Sequence, residues 1–221
     1  MHKTGLLVLI ALLITGCGTV QFGQGPLSGS GNVTTEPRTV AAFNAIDMSG
    51  VGEVIITQGE AVGLNIEADD NFQPLILSEV RNDTLFLSMK PKVNLRHFTR
   101  MIFHVTIKEF TRLTLSGAAL VKVHNLSGDK LTVDHSGAGS VTIAGTVNEQ
   151  RVTLSGAGTY DGAALVSKQA TVDLRGLGSM VVQVRERLDA TISGAGSIEY
   201  IGSPELHKTI SGLGSIRQRG P

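Results

Sequence analysis

Hydrophobic and polar residues alternate at every second position through the C-terminal half of the chain. In one such stretch Val152 and Leu154 flank the polar Thr153, and many others follow the same rule. A period of two is typical of β-strands that bury one face, and it differs from the 3.6-residue period of a helix. The pattern therefore predicts an all-β protein built of short strands.

A four-residue phrase, Ser-Gly-x-Gly, separates these alternating stretches. The clear copies and variants of it begin at Ser116, Ser136, Ser155, Arg175, Ser193 and Ser211, with a weaker copy at Ser49. From the first clear copy onward, the spacings are 20, 19, 20, 18 and 18 residues. A unit this short cannot bury its own apolar face, whereas stacked units bury each other's.

The repeat predicts a single-domain β-solenoid, specifically a right-handed parallel β-helix with coils of 18–20 residues. Glycines would form the corners, where a positive φ or a close backbone approach is needed. An antiparallel meander or a sandwich of hairpins is the alternative that the same alternation allows. Residues 32–112 are interpreted as the same architecture with a less regular repeat, so residues 32–221 are expected to form one β-helical domain.

The N-terminus has the pattern of a signal peptide. Lys3 precedes an apolar run at residues 5–14, which is too short for a membrane-spanning helix. The run ends in Leu-Ile-Thr-Gly-Cys at residues 13–17, which resembles a bacterial lipobox. This resemblance implies cleavage after residue 16 and lipidation of Cys17, so that the lipid attaches the protein to a membrane. By analogy with enterobacterial sorting, Gly18 favours the outer membrane. Residues 17–31, rich in glycine and free of charge, are predicted to be a flexible tether.

The composition excludes several classes of function. Nineteen basic and nineteen acidic residues cancel, which removes the global field expected of a nucleic-acid-binding protein. Aromatic residues make up 4% and tryptophan is absent, which disfavours modules that stack on sugars or bases. A single cysteine excludes an internal disulfide framework.

Catalytic and metal-binding patterns are not found in the sequence, and no cofactor is expected. Asp134 and Asp173 occupy equivalent repeat positions two coils apart, which predicts a separation of about 10 Å. They are interpreted as polar residues of a solvated sheet rather than as a hydrolytic pair. His135 falls at an apolar position and is interpreted as a packing residue.

Two charged segments are the weak candidates for a binding surface. An acidic one contains Glu67, Asp69, Asp70 and Asn71, which could hold Ca²⁺ but are more typical of a solvated turn. A basic one, residues 90–112, includes the candidates Arg96 and Arg100. It could meet an anionic envelope glycan or lipopolysaccharide, or support self-association with the acidic zone.

The order of these features resembles the DUF2807 family, the head GIN domain of auto-transporter adhesins. The resemblance rests on the lipobox, on Phe43-Asn44-Ala45-Ile46 before the weak copy, on the acidic segment and on the Ser-Gly-x-Gly ladder, and it covers about residues 32–216. It implies a β-helical domain of a bacterial surface or periplasmic lipoprotein and carries over no catalytic residues. Arg175 in a Ser position and Ala119 in a Gly position depart from the repeat.

We therefore expect a lipid-anchored envelope protein with a non-catalytic role in adhesion, binding or structure. A glycan-active enzyme of the polysaccharide lyase or hydrolase type, on the same scaffold, is the alternative. An envelope glycan, a protein or a second copy of the chain are the possible partners.

Overall fold

The computed structural model describes residues 26–220, so Cys17, the signal peptide and most of the predicted tether lie outside it. The described residues form strands and one short 3₁₀ turn, Gln73–Leu75. The strands are β1 Leu27–Ser28, β2 Val33–Arg38, β3 Ala45–Met48, β4 Val51–Gln58, β5 Gly63–Asp69, β6 Ile76–Arg81, β7 Thr84–Met89, β8 Leu95–His97, β9 Met101–Ile107, β10 Arg112–Leu115, β11 Ala118–His135, β12 Ala138–Leu154, β13 Ala157–Leu174, β14 Leu177–Ile192, β15 Ala195–Ile201, β16 Glu205–Ile210 and β17 Leu213–Gln218.

The repeat forms a β-solenoid of about five turns, as the sequence predicts. Each turn has two faces that meet at the Ser-Gly corner, and the long strands β11 to β14 bend to contribute to both. On the first face, the strands that precede the corners run in the order β6-β7-β3-β10-β11-β12-β13-β14-β16. On the second face, the order is β2-β5-β9-β4-β11-β12-β13-β14-β15-β17. From β7 on the first face and β9 on the second to β16 and β17, the pairs are parallel, with register shifts inside the pairs formed by β11 to β14.

The core consists of columns of apolar side chains stacked from coil to coil. One column on the second face runs through Val54, Val121, Val141, Tyr160, Met180, Ile198 and Ile216. Every member of this column is buried. Side chains at equivalent positions of adjacent coils bury each other's apolar surface. A single coil is therefore stable only when it is stacked on its neighbours.

The glycines of the repeat are required mainly by the close approach of successive coils. A Cβ built on Gly176 would lie 2.0 Å from the carbonyl oxygen of Gly156. The first glycine of the other clear copies meets the same obstacle in the coil before it. The second glycine also leaves room for the large residue that ends the preceding first-face strand, since a Cβ on Gly178 would lie 3.1 Å from Leu154.

Residues 59–111 do not continue the coils, although the sequence predicts the same architecture with a less regular repeat for residues 32–112. After β4 the chain leaves the first coil, and it returns only at β10, which pairs with β3. The excursion adds β7 and β9 in parallel to the first coil and then closes both faces with antiparallel strands. One antiparallel pair, β6 with β7, is a hairpin that turns at Asn82 and Asp83, both with positive φ. The other two, β5 with β9 and β5 with β2, join strands that are not consecutive in the chain. We call residues 59–111 and β2 the N-terminal cap.

Candidate binding surfaces

The acidic segment of the sequence binds the N-terminal strand of the protein itself. Asp69 is fully buried and accepts hydrogen bonds from the backbone amides of Gly31 and Thr99, both at 2.8 Å. Burial alone would raise the pKa of this carboxyl group, but these hydrogen bonds outweigh it and lower the pKa below its usual range. Asp69, a buried carboxylate, therefore joins the segment at Gly31 to two segments of the cap.

Asp70 and Asn71 hold the same N-terminal segment from outside. The Ser30 hydroxyl donates to one carboxylate oxygen of Asp70 at 2.5 Å, and the side-chain amide of Asn32 donates to the other oxygen at 2.8 Å. These hydrogen bonds lower the pKa of Asp70. Asn71 accepts from the Ser30 amide and donates to the Ser28 carbonyl. Their polar atoms are satisfied within the chain, so the segment is a clamp rather than an open cation site.

The clamp involves residues 27–31, which the sequence analysis assigns to the tether. Leu27 and Ser28 form β1, which pairs in parallel with β8, and the Gly29 amide donates to the His97 carbonyl. A Cβ on Gly29 would lie 2.6 Å from the Asp69 carboxyl group, which shows how closely the two segments pack. Residues 27–31 are thus part of the fold because side chains forty positions away satisfy their backbone, a relationship that local composition does not reveal.

The two arginines of the candidate surface have different surroundings. Arg100 donates to Glu67 at 2.8 Å, and this hydrogen bond is the main cause of the lowered pKa of Glu67, which His104 also approaches at 3.5 Å. Arg96 is exposed and forms no ion pair within residues 26–220. The structure therefore brings Glu67 and Arg100 together and leaves Arg96 facing solvent.

A surface region that the sequence analysis did not identify surrounds Phe98. Phe98 is 45% exposed and lines two adjacent open grooves of about 490 and 530 Å³. The apolar residues Val51, Met89, Val93 and Leu95 and the basic residue Lys90 are among those that line the first groove. The feature of the sequence that could have indicated this region is an aromatic residue, Phe98, within the basic segment.

The second face carries a ladder of hydroxyl groups on its outer side. It contains one Ser or Thr from each of five successive coils, in register: Ser140, Thr159, Ser179, Ser197 and Ser215. Adjacent rungs are separated by the inter-strand distance of about 4.8 Å. We call this row the hydroxyl ladder. The repeat signalled it, because each member follows the second glycine of its corner.

The first face does not assemble a carboxylate pair. Asp134 and Asp173 share a column with Thr153 between them, as the spacing predicts. Each is engaged by an arginine, Asp134 by Arg112 at 2.7 Å and Asp173 by Arg175. Among residues 26–220, no group of three or more His, Cys, Asp or Glu side chains is placed to hold a metal ion.

His135 is buried, as its apolar position predicts, with 2% of its surface exposed. Neither ring nitrogen has a hydrogen-bond partner within the described chain, and burial lowers the pKa of the imidazole. It therefore packs as a neutral side chain.

Comparison with protein-family models assigns the chain to a family. The model for DUF2807, "Putative auto-transporter adhesin, head GIN domain", matches residues 42–204, and the protein belongs to this family. No curated protein matches the chain. Within the described residues, no helix is both long and apolar enough to cross a membrane.

Solved structures share the fold. A "putative adhesin" from Bacteroides fragilis is 26% identical over 87% of this chain and 100% of its own, with a TM-score of 0.75. A second protein of that description, from Parabacteroides merdae, is 22% identical over 87% and 98% of the two chains, with a TM-score of 0.54. A "putative lipid binding protein" from Parabacteroides distasonis is 21% identical over 88% and 99%, with a TM-score of 0.53.

Proposed function

We propose that this protein is a lipid-anchored envelope protein that adheres, without catalysis, to a repeating polar polymer such as an envelope glycan. The observation that carries the proposal is the hydroxyl ladder, which presents donors and acceptors at a regular spacing on a rigid sheet. Membership of an adhesin family and the adhesin description of the Bacteroides fragilis structure support a cell-surface or envelope role.

The anchor is proposed at Cys17 on the lipobox resemblance. Cells labelled with a radioactive fatty-acid precursor should incorporate label into the wild-type protein and not into Cys17→Ala. Fractionation of the same cells should place the wild type with the outer membrane and release the variant. Equal label in both proteins would remove the anchor from the proposal.

Adhesion is tested by a glycan array with the purified chain. Removing three hydroxyls of the ladder, with Thr159→Val, Ser179→Ala and Ser197→Ala together, should abolish the strongest signals. The matched control removes three hydroxyls from the first face, with Thr153→Val, Thr191→Val and Thr209→Val, and should leave them intact. Equal effects of both triple variants would show that the ladder is not the binding surface.

The same glycans test the enzymatic alternative. After overnight incubation, no new reducing ends and no unsaturated products should appear above a boiled-protein control. Turnover that disappears in Asp134→Asn or Asp173→Asn would replace the adhesion proposal with a glycan-active enzyme, since these two carboxylates share one half-buried column on the outer side of the first face.

A further inference from the structure

The loop between β7 and β9, together with these two strands, carries charge of one sign only. Residues 84–108 contain five lysines and arginines and no acidic residue. Lys90, Lys92 and Arg96 are exposed and form no ion pair with any described residue. Three cations without internal partners are available to an anionic partner, and we call them the loop cations.

An apolar surface lies in the same loop as these cations, and Lys90 is among the residues that line its first groove. Phe98 projects from the same loop with nearly half of its surface exposed, and the two grooves flank it. Each groove, with a volume of about 490 or 530 Å³, is as large as many small-molecule sites. Exposed aromatic and aliphatic groups next to unpaired cations are the combination found on membrane-surface segments.

The chain also enters the fold at this loop. The Leu27 amide donates to the Asn94 carbonyl, and β1 runs parallel to β8 within the loop. Cys17 precedes Leu27 by ten residues, which reach at most about 35 Å when fully extended. A lipid on Cys17 would therefore hold the loop cations and Phe98 close to the bilayer.

We propose that the loop cations and Phe98 form a docking surface for an anionic lipid bilayer, with Phe98 and the grooves receiving acyl chains. The orientation of the protein at the bilayer rests on the lipid anchor proposed above. The affinity of the docking surface for anionic lipid does not, because it comes from the loop cations and Phe98. Each lysine or arginine near an anionic bilayer contributes about a fivefold gain in binding. An anionic glycan would also attract the cations, but it offers no apolar group for Phe98 or for the grooves.

Vesicle sedimentation tests the docking surface without the anchor. The protein used is residues 18–221, since the Bacteroides fragilis relative, wholly matched by 87% of this chain, forms the same fold. It should bind vesicles of phosphatidylcholine containing one third phosphatidylglycerol, and bind pure phosphatidylcholine at least tenfold more weakly. Binding to the anionic vesicles should weaken as salt is raised. Equal binding to both vesicles would overturn the proposal.

Two sets of variants locate the surface. Lys90→Gln, Lys92→Gln and Arg96→Gln together should weaken binding about 100-fold, at about fivefold for each cation. The control, Arg151→Gln, Lys168→Gln and Arg185→Gln, removes the same charge from the coils formed by β12 to β14 and should change binding less than threefold. Equal losses in the two triple variants would show that net charge, not this loop, binds the vesicles. Unfolding midpoints of both should match the wild type.

A variant of Phe98 distinguishes binding to a lipid bilayer from binding to an anionic glycan. Phe98→Ala should weaken vesicle binding about tenfold, because it removes the inserted ring. Soluble polygalacturonate serves as the anionic glycan. If it binds as tightly as the anionic vesicles and Phe98→Ala has no effect on either, the cations belong to a glycan site and the bilayer proposal fails. Loss of lipid labelling at Cys17 concerns only the anchor, so the two proposals can fail separately.

Discussion

The imidazole of His135 occupies the space beneath Gly158 of the next coil, where a Cβ would lie 2.6 Å from the ring carbon Cε1. Leu154 and Leu174 stand at the same position in the following coils and pack beneath Gly178 and Gly196 in the same way. A titratable ring has therefore replaced a leucine within an otherwise apolar column. The loss of folding stability caused by burying this ring depends on pH.

His135→Leu should stabilise the protein by about 1–3 kcal/mol at neutral pH, because two buried ring nitrogens without protein partners are removed. The gain should grow as the pH falls. The lowered pKa of His135 means that below pH about 6.5 the unfolded chain binds a proton that the folded chain does not. Wild-type stability should then fall by up to about 1.4 kcal/mol per pH unit more than that of the variant.

Urea denaturation between pH 5 and pH 8 measures this difference. His124→Gln is the control, because His124 is exposed on β11, and its pH dependence should follow the wild type. A His135→Leu protein whose stability keeps the wild-type slope would contradict the assignment of a buried neutral imidazole.

The glycine of each corner gives the second prediction. Gly176→Ala should cost about 3–5 kcal/mol, because the new methyl group would meet the Gly156 carbonyl, a backbone atom that moves only with its whole coil. Gly128→Ala, with nothing within 4 Å of the added Cβ, should change stability by less than about 1 kcal/mol. Thermal and urea unfolding of both variants provide the comparison. Similar losses would mean that chain entropy, not contact between coils, selects glycine here.

These examples show what the sequence could predict. The period of two and the spacing of the glycines fix strand positions and the stacking register, because equivalent residues of parallel coils must lie above one another. They therefore predict the column that contains Asp134 and Asp173 and the burial of His135. The same reasoning fails for the N-terminal cap, where β2 and β5 pair across about thirty residues without a repeated motif. It also fails for Asp69, whose role depends on amides of Gly31 and Thr99.

The third prediction concerns this buried carboxylate. Asp69→Asn should detach the segment at residues 27–32, since a neutral amide offers one acceptor oxygen to amides that now share two charged ones. The loss is expected to be about 2–3 kcal/mol. Hydrogen exchange at the Gly31 and Thr99 amides should accelerate accordingly. Glu60→Gln, an exposed residue on the same cap, is the control, and unchanged exchange in Asp69→Asn would contradict the clamp.

Acid should release the same segment in the wild type. The pKa of Asp69 is lowered in the folded state, so its contribution is fully present above the unfolded value of about 3.9 and is lost as the pH falls through the folded value. The protection factor of the Gly31 amide, which is corrected for the intrinsic exchange rate at each pH, should therefore stay high at pH 5 and fall below pH 4, before the solenoid unfolds. If the wild type shows no such acid-induced release, the Asp69 carboxylate does not hold this segment in place.

The last prediction concerns the C-terminal coil, which ends the described solenoid. Lys208 continues a core column whose preceding members are Val172 and Ala190, and Gln218 continues the column that contains Val182 and Tyr200. Both residues are exposed because no further coil covers them among residues 26–220. An inward-facing charge on an edge strand opposes the addition of another strand, since pairing would bury it.

Lys208→Val combined with Gln218→Val should therefore allow the strands at this end to pair with another copy of the protein. The variant should form concentration-dependent dimers or longer stacks in sedimentation velocity at concentrations where the wild type remains smaller. Thr209→Val combined with Arg217→Val adds the same apolar character to the outer side of β16 and β17 and serves as the control. If both double variants associate alike, general surface hydrophobicity explains the effect. If the core-position variant alone associates, the lysine and the glutamine are what keep successive molecules from stacking as successive coils do.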